Sequence, residues 1–198
     1  MNGIVKYIPG KTRIWVAGLV LLGAFAGAAN AHSFSVALAG AATDATDLRY
    51  AVQGFLVASA ERDAHPDETA DGHIGGLDVF VIPLADGAVM PVDGLIGDTP
   101  RSYDIVVDLG QSASDLEGVP GIGAATIYME AGTLPDDFLS TDFAARFSER
   151  FGVVATQASA RGYNAAVRLD RAIRPVGGLS EADAIRDALA ASKGGIDW

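Results

Sequence analysis

The stretch FSVALAG, residues 34–40, is a short apolar run that ends at a glycine, and it predicts a buried β-strand. Two later stretches have the same character, DVFVIPL at residues 78–84 and DIVVDL at residues 104–109. A fourth strand is predicted within ATIYM, residues 125–129. Pro83 has no backbone N–H for a sheet ladder, so we expect it at a sheet edge or at a strand end.

Helical periodicity appears after the first strand and again in the last third of the chain. The predicted helices cover residues 46–63, 143–151 and 159–174, and a last helix starts at Ser180, whereas the polar, glycine-rich residues 64–76 predict a loop. Apolar side chains repeat every three or four positions, as in Leu48, Val52, Phe55 and Leu56 and in Phe143, Phe147 and Phe151. Alternation of strands and helices favours an α/β fold with a mostly parallel sheet flanked by helices.

The first 31 residues have the pattern of an export signal. Lys6, Lys11 and Arg13 precede an uncharged apolar run at residues 14–28, and Ala29-Asn30-Ala31 then offers small residues for cleavage. A membrane anchor is the alternative, but the run is shorter than the roughly 20 residues that span a bilayer. We therefore predict cleavage after Ala31, one periplasmic domain at residues 32–198, and no membrane attachment after cleavage.

The composition of the chain excludes several classes of function. The chain of 198 residues has 14 Lys and Arg against 25 Asp and Glu, a formal charge of -11, and no cysteine. Nucleic acid is excluded as a partner because its phosphates require clustered basic residues. The absence of cysteine excludes disulfides, thiolate metal sites and a cysteine nucleophile.

Several segments together resemble a known family. FSVALAG, AVQGFLVASAERD (51–63), GHIGGLDVFVIPL (72–84) and GYNAA (162–166) follow one another as in the type I periplasmic solute-binding proteins, the branched-chain amino-acid receptors of ABC transporters. Asn164 stands where that family usually has Asp. The resemblance implies a periplasmic receptor for a small amino-acid-like ligand, an ABC permease as partner, and a strand order with residues 34–40 between 78–84 and 104–109.

The chain also departs from that family, whose members are about twice as long and close two lobes on the ligand. Residues 85–135 are too short for a second lobe, so the resemblance implies a single lobe and a more open site. The alternative function is a non-transport accessory protein that keeps one lobe as a scaffold for a periplasmic protein partner.

Polar loops at the predicted strand ends are the candidate ligand site. Thr43 follows the first strand, and Ser112 and Ser114 follow the strand at residues 104–109. Ligands of open α/β sheets bind at the carboxyl ends of strands, where helix N-termini also point. Ordinary turn and helix-capping chemistry is the alternative interpretation of these three residues.

Three other residue patterns were considered as catalytic, metal-binding or cofactor-binding motifs, and none of them predicts such a site. GQSAS at residues 110–114 approximates the nucleophile elbow of α/β-hydrolases. In that fold the catalytic histidine follows the serine in the sequence, whereas all three histidines of this chain precede Ser112. Residues 65–73 contain His65, Asp67, Glu68, Asp71 and His73, a possible metal-ligand set that we interpret as an acidic solvated loop. GIG at residues 121–123 lacks the third glycine of a dinucleotide site. The sequence predicts no enzyme activity, no metal and no cofactor.

Tyrosines offer a further possibility for ligand contact. Tyr128 and Tyr163 could stack on a ligand, although a buried tyrosine in the core is the commoner case.

Overall fold

A five-stranded sheet organises the fold of the computed structural model, which describes residues 33–40, 45–63, 69–84, 102–110, 116 and 121–198. Its strand order is β2-β3-β1-β4-β5, and every neighbouring pair is parallel except β2 with β3. The strands are β1 (Ser33–Ala39), β2 (His73–Ile74), β3 (Leu77–Leu84), β4 (Ile105–Asp108) and β5 (Ile127–Glu130). The predicted α/β class is confirmed, and so is the placement of β1 between β3 and β4.

Four α-helices accompany the sheet in the described part of the chain. They are α1 (Ala45–Ala60), α2 (Asp142–Phe151), α3 (Gln157–Ile173) and α4 (Ala182–Ala191). Helix α3 starts two residues before the predicted position because Thr156 and Ser159 form a reciprocal capping box. Helix α2 ends as predicted at Gly152, which adopts a left-handed conformation with φ of 70°.

The loop predicted at residues 64–76 is partly wrong, because His73 and Ile74 form strand β2. This strand pairs with Leu77 and the following residue of β3. Gly75 and Gly76 make the two-residue connection with φ of 65° and 84°. Tight hairpins need positive φ at both central positions, so the Gly-Gly pair was a local signal for this turn.

Pro83 lies toward the carboxyl end of β3, on its outer side. The amides of Val79 and Val81 point away from β1, donating to the Gly72 carbonyl and the Asp71 carboxylate. Backbone N–H groups point to opposite sides of a strand at successive residues, so the nitrogen of Pro83 is on the same side as those of Val79 and Val81. The N–H that proline lacks therefore does not interrupt the pairing with β1. The prediction of a sheet edge or a strand end is confirmed as a strand end, because Pro83 is the residue before the last one of β3.

Helices α1 and α3 cross at backbone contact. A Cβ atom on Gly54 would lie 1.9 Å from the carbonyl oxygen of Ser159, and one on Gly162 would lie 1.8 Å from that of Ala51. Two glycines, one on each helix, therefore permit a crossing that any side chain would prevent. This crossing places the start of α3 beside the start of α1, at one edge of the sheet.

The main apolar core joins one face of the sheet to all four helices. Its fully buried members include Val36, Leu38, Phe55, Phe143, Phe147 and Ile185. The predicted phenylalanine stripe on α2 thus belongs to the core, where Phe143 also contacts Trp198 edge-on with 5.3 Å between ring centroids. A smaller apolar cluster on the other face contains Ala37, Ala39, Val106, Tyr103 and Leu116.

The described residues from 33 to 198 group as one unit. The described residues between 85 and 135 add β4 and β5 to the single sheet and form no second lobe. Of the helices in the described ranges, none has both the length and the apolar character to cross a bilayer. Cleavage after Ala31 lies outside the described residues and stays a prediction.

Candidate functional site

The carboxyl ends of β4 and β5 border a cavity of about 460 Å³, which we name the edge cavity. The last residues of these strands and the segment after each form two of its sides, and α3 contributes Arg161. Its lining residues are Asp108, Leu109, Gly110, Tyr128, Glu130, Ala131, Gly132, Thr133, Arg161 and Lys193. The cavity therefore lies where parallel α/β sheets place their ligands.

A second cavity of about 260 Å³, the α1–α3 cavity, lies between the starts of these two helices. Gly40 borders it at the end of β1, and Asp47 borders it from the first turn of α1. The capped N-terminus of α3 contributes residues 156–158. Leu109 and Arg161 line both cavities. The two cavities therefore adjoin at Leu109 and Arg161, and we call them together the groove along the carboxyl edge of the sheet.

Arg161 is the cation shared by the two cavities. Its side chain is exposed, and its Nη1 donates a hydrogen bond of 3.2 Å to the Leu109 carbonyl oxygen. Within the described ranges no carboxylate lies at ion-pair distance from this guanidinium. A guanidinium has five N–H donors, so most of its hydrogen-bonding capacity faces solvent or a ligand.

Asp108 supplies a fixed carboxylate that also lines the edge cavity. It is the last residue of β4 and is only 7% exposed. One carboxylate oxygen accepts a 2.7 Å hydrogen bond from the Gly110 amide, and the other accepts a 2.8 Å bond from the Tyr128 hydroxyl. These bonds fix the orientation of a negative charge at the cavity wall.

Lys193 and Glu130 form an ion pair at the rim of the edge cavity. Their charged atoms are 2.7 Å apart, and both side chains are more than half exposed, 60% and 53%. Such an exposed pair contributes at most about 1 kcal/mol, so either partner can exchange the other for a ligand group at little cost.

Asn164 holds the wall formed by residues 131–133. Its fully buried amide donates to the carbonyl oxygens of Ala131 and Thr133 at 2.8 and 3.3 Å. Its own oxygen accepts the indole N–H of Trp198 at 2.8 Å. An ionised Asp cannot donate to two carbonyls, which gives a physical reason for Asn at the position where the resembled family has Asp.

The predicted ligand residues Thr43, Ser112 and Ser114 lie outside the described residues. Gly40, after which the first predicted loop begins, lines the α1–α3 cavity, and Gly110, before the second loop, lines the edge cavity. Neither Arg161 nor Asp108 was predicted from the sequence as a site residue. Asp108 carried a usable signal because it ends a predicted strand, whereas only the helix crossing brings Arg161 to the sheet edge.

The two tyrosines have different environments. Tyr128 lines the edge cavity, so contact with a ligand there stays a prediction. Tyr163 is 3% exposed and contacts Trp198 with 5.0 Å between ring centroids. Its hydroxyl donates to Glu61 and accepts from Arg146, each at 3.0 Å. Burial, followed by the charge of Glu61, raises the pKa of Tyr163. Tyr163 therefore belongs to the core and does not stack on a ligand.

The His and Asp residues that were considered as a possible metal-ligand set, and interpreted as an acidic solvated loop, have structural roles where they are described. His73 lies between two carboxylates, with Nδ1 3.0 Å from Asp63 and Nε2 2.8 Å from Asp78. The Asp71 carboxylate accepts the Val81 amide at 2.8 Å. His65, Asp67 and Glu68 lie outside the described residues, and the described ones contain no group of three or more metal-ligating side chains.

Comparisons with protein-family models, with curated proteins and with solved structures find no match for this chain. The likeness to type I solute-binding proteins therefore stays a prediction from the sequence.

Proposed function

We propose that the protein is a periplasmic solute-binding-like protein that holds a small amino-acid-like ligand in the groove along the carboxyl edge of its sheet. One observation carries the proposal. Arg161, which has no carboxylate partner in the described part of the chain, faces the same cavity as the fixed carboxylate of Asp108. A free amino acid carries one group of each sign, and this cavity offers the complement of both.

Each charged group of such a ligand has a defined partner in the proposal. The ligand carboxylate binds the Arg161 guanidinium, which can donate two parallel hydrogen bonds to it. The ligand ammonium binds at Asp108, with Glu130 as the second carboxylate of the cavity. The capped N-terminus of α3 adds its dipole on the side of the ligand carboxylate.

Export and delivery belong to the same proposal. Residues 1–31 act as the signal, the domain works in the periplasm, and an ABC permease takes the ligand from it. The protein acts as a binder and catalyses no reaction. The mass of the purified periplasmic protein tests the export step, because loss of residues 1–31 is expected and a retained segment contradicts it.

Calorimetric titration of the monomeric protein with the common amino acids tests the binding step. We expect a dissociation constant in the high micromolar range, because an open groove buries less of a ligand than a closed pocket does. Arg161→Gln is expected to weaken binding at least tenfold, since it removes a charge-assisted hydrogen bond to the ligand. Arg171→Gln is the matched control, because Arg171 is also an exposed arginine of α3 that donates to a backbone carbonyl, that of Asp197.

Three outcomes contradict this proposal. Equal binding by the Arg161→Gln variant and the wild type removes Arg161 from the site. Sub-micromolar binding by the monomer shows a second wall that a single lobe does not provide. No binding of any amino acid, together with a stable complex with a periplasmic protein, favours the accessory-scaffold function.

A further inference from the structure

A third cavity of about 170 Å³ lies beside β5, between this strand and α4, and we name it the β5–α4 cavity. Three basic side chains from three parts of the chain line it, namely Arg168 of α3, Arg186 of α4 and Lys193. The chain has 14 basic residues, and removing Lys6, Lys11 and Arg13 leaves 11 in residues 32–198. Three of those 11 therefore surround one small cavity in an acidic protein.

Arg168 is unusual among the lining residues because it is an almost fully buried arginine. It is 2% exposed, and each of its nitrogens donates to a fixed acceptor: Nε to the Ser192 hydroxyl at 3.1 Å, Nη2 to the Leu189 carbonyl at 2.5 Å, and Nη1 to the Glu130 carbonyl. These three bonds use three of five N–H groups, so two donors remain. The guanidinium is held rigidly with hydrogen-bonding capacity to spare.

The charge of Arg168 is not balanced by a direct ion pair. No carboxylate lies within ion-pair distance of it among the residues whose positions are described. Burial lowers the pKa of Arg168, and the nearby charge of Glu130 opposes that shift only in part. A buried cation without a paired anion is destabilising, and an anion bound beside it offsets that cost.

Two of the three lining cations already pair with a carboxylate. Glu130 lies 2.7 Å from Lys193, and Asp183 lies 2.8 Å from Arg186. Both of these pairs are exposed and weak, so their basic partners can turn to a stronger acceptor. Among the lining side chains and their ion-pair partners, three cations stand against two carboxylates, and Arg168 is the cation without a pair.

We infer that the β5–α4 cavity binds an oxyanion group, through the fixed guanidinium of Arg168 and the more exposed side chains of Arg186 and Lys193. Two sources supply that chemistry. One is a free inorganic anion such as phosphate, and the other is the distal carboxylate of an acidic amino acid in the edge cavity. The second source is open because the two cavities share Tyr128, Glu130 and Lys193 as lining residues. Only this second source depends on the proposed function.

Thermal unfolding of the purified protein with increasing phosphate tests the site directly. We expect a saturable rise of the midpoint that sodium chloride of equal ionic strength does not produce. Arg186→Gln is expected to raise the phosphate dissociation constant about tenfold, as a lost charge-assisted hydrogen bond does. Arg171→Gln, which removes an exposed arginine outside all three cavities, is expected to leave it unchanged.

Calorimetry with glutamate and glutamine distinguishes the two sources. If the oxyanion belongs to the ligand, glutamate binds more tightly than glutamine, and Arg186→Gln abolishes that preference while glutamine binding remains. If it is a free anion, phosphate stabilises the protein whether or not any amino acid binds. The inference is overturned if phosphate and chloride act alike and glutamate has no advantage, or if Arg186→Gln changes neither response.

Discussion

The two ends of α3 differ in how their charges are satisfied. Near the C-terminal end, the Asp170 carboxylate accepts hydrogen bonds from the Gly75 amide at 2.8 Å and from Arg174 at 2.6 Å, and Arg62 lies 3.2 Å away. Near the N-terminal end, Arg161 donates to one backbone carbonyl and, within the described ranges, has no ion pair. A fully bonded charge stabilises a fold, whereas a charge with spare donors is available to a ligand.

This comparison predicts that substitutions near the helix crossing and at Asp170 change stability, and that substitution of Arg161 changes binding.

The largest effect is expected from Gly162→Ala, next to Arg161 in the sequence. Its new Cβ would lie 1.8 Å from the Ala51 carbonyl oxygen, so the helices must separate. We expect a loss of about 3 kcal/mol in the free energy of unfolding, measured with urea. Gly178→Ala is the control, because no atom lies within 4 Å of that added Cβ.

Asp170→Asn is expected to lower the free energy of unfolding by about 2 kcal/mol, because it removes a buried charge that two arginines and an amide satisfy. Asp183→Asn is the matched control: that carboxylate also pairs with an arginine of its own helix but is 98% exposed. Equal effects of the two variants would contradict the contrast between the two ends of α3.

The same carboxylate predicts a pH dependence. Burial alone would raise the pKa of Asp170, but hydrogen bonds from Arg174 and the Gly75 amide, with the charges of Arg62 and Arg174, lower it below its usual value. A lowered pKa in the folded state gives stability that is present above the unfolded-state pKa of about 3.9 and is lost as the pH falls through the folded-state value. Urea unfolding between pH 6 and pH 3 should therefore show a steeper acid loss in the wild type than in Asp170→Asn.

Asn164→Asp is expected to cost about 1.5 kcal/mol at pH 7, because an ionised carboxylate would face the carbonyl oxygens of Ala131 and Thr133. Protonation restores one donor, so this loss should shrink as the pH falls. The trend is opposite to that predicted for Asp170. A loss that is constant between pH 7 and pH 4 would show that the wall does not depend on the donor.

The smallest effect on stability is expected from Arg161→Gln, within about 0.5 kcal/mol of the wild type, although the same variant should bind an amino acid at least tenfold more weakly. Urea unfolding of this variant and of Gly162→Ala, two adjacent residues of α3, distinguishes the binding role of Arg161 from the packing role of Gly162. A large loss of stability in Arg161→Gln would assign Arg161 to the fold and remove it from the proposed site.

Much of the fold was predictable from the sequence because apolar periodicity reports which residues are buried. It located β1, β3, β4 and the helices, and Gly152 was correctly predicted as the end of α2. Strand β2 was not predicted, because a strand of two residues is too short to show an alternation of apolar and polar side chains. The order of β3, β1 and β4 came from the family resemblance, since local patterns do not encode strand order.

The site was less predictable, for a different physical reason. Arg161 and Arg168 differ only in their surroundings: one is exposed at a cavity, and the other is 2% exposed with three fixed acceptors. Those acceptors come from β5, from the end of α4 and from the residues after it, which lie far from α3 in the sequence. Long-range packing assigns these roles, so residue type and spacing alone did not identify them.

The glycine crossing of α1 and α3 also affects when the chain can fold. Gly162 contacts Ala51, 111 residues earlier (162 minus 51), so α1 cannot pack against α3 until most of the chain has been synthesised. Contacts of such long sequence separation form slowly. The export step that we propose would benefit from this delay, because a nascent protein that cannot complete its core stays unfolded longer and can be threaded through a membrane channel.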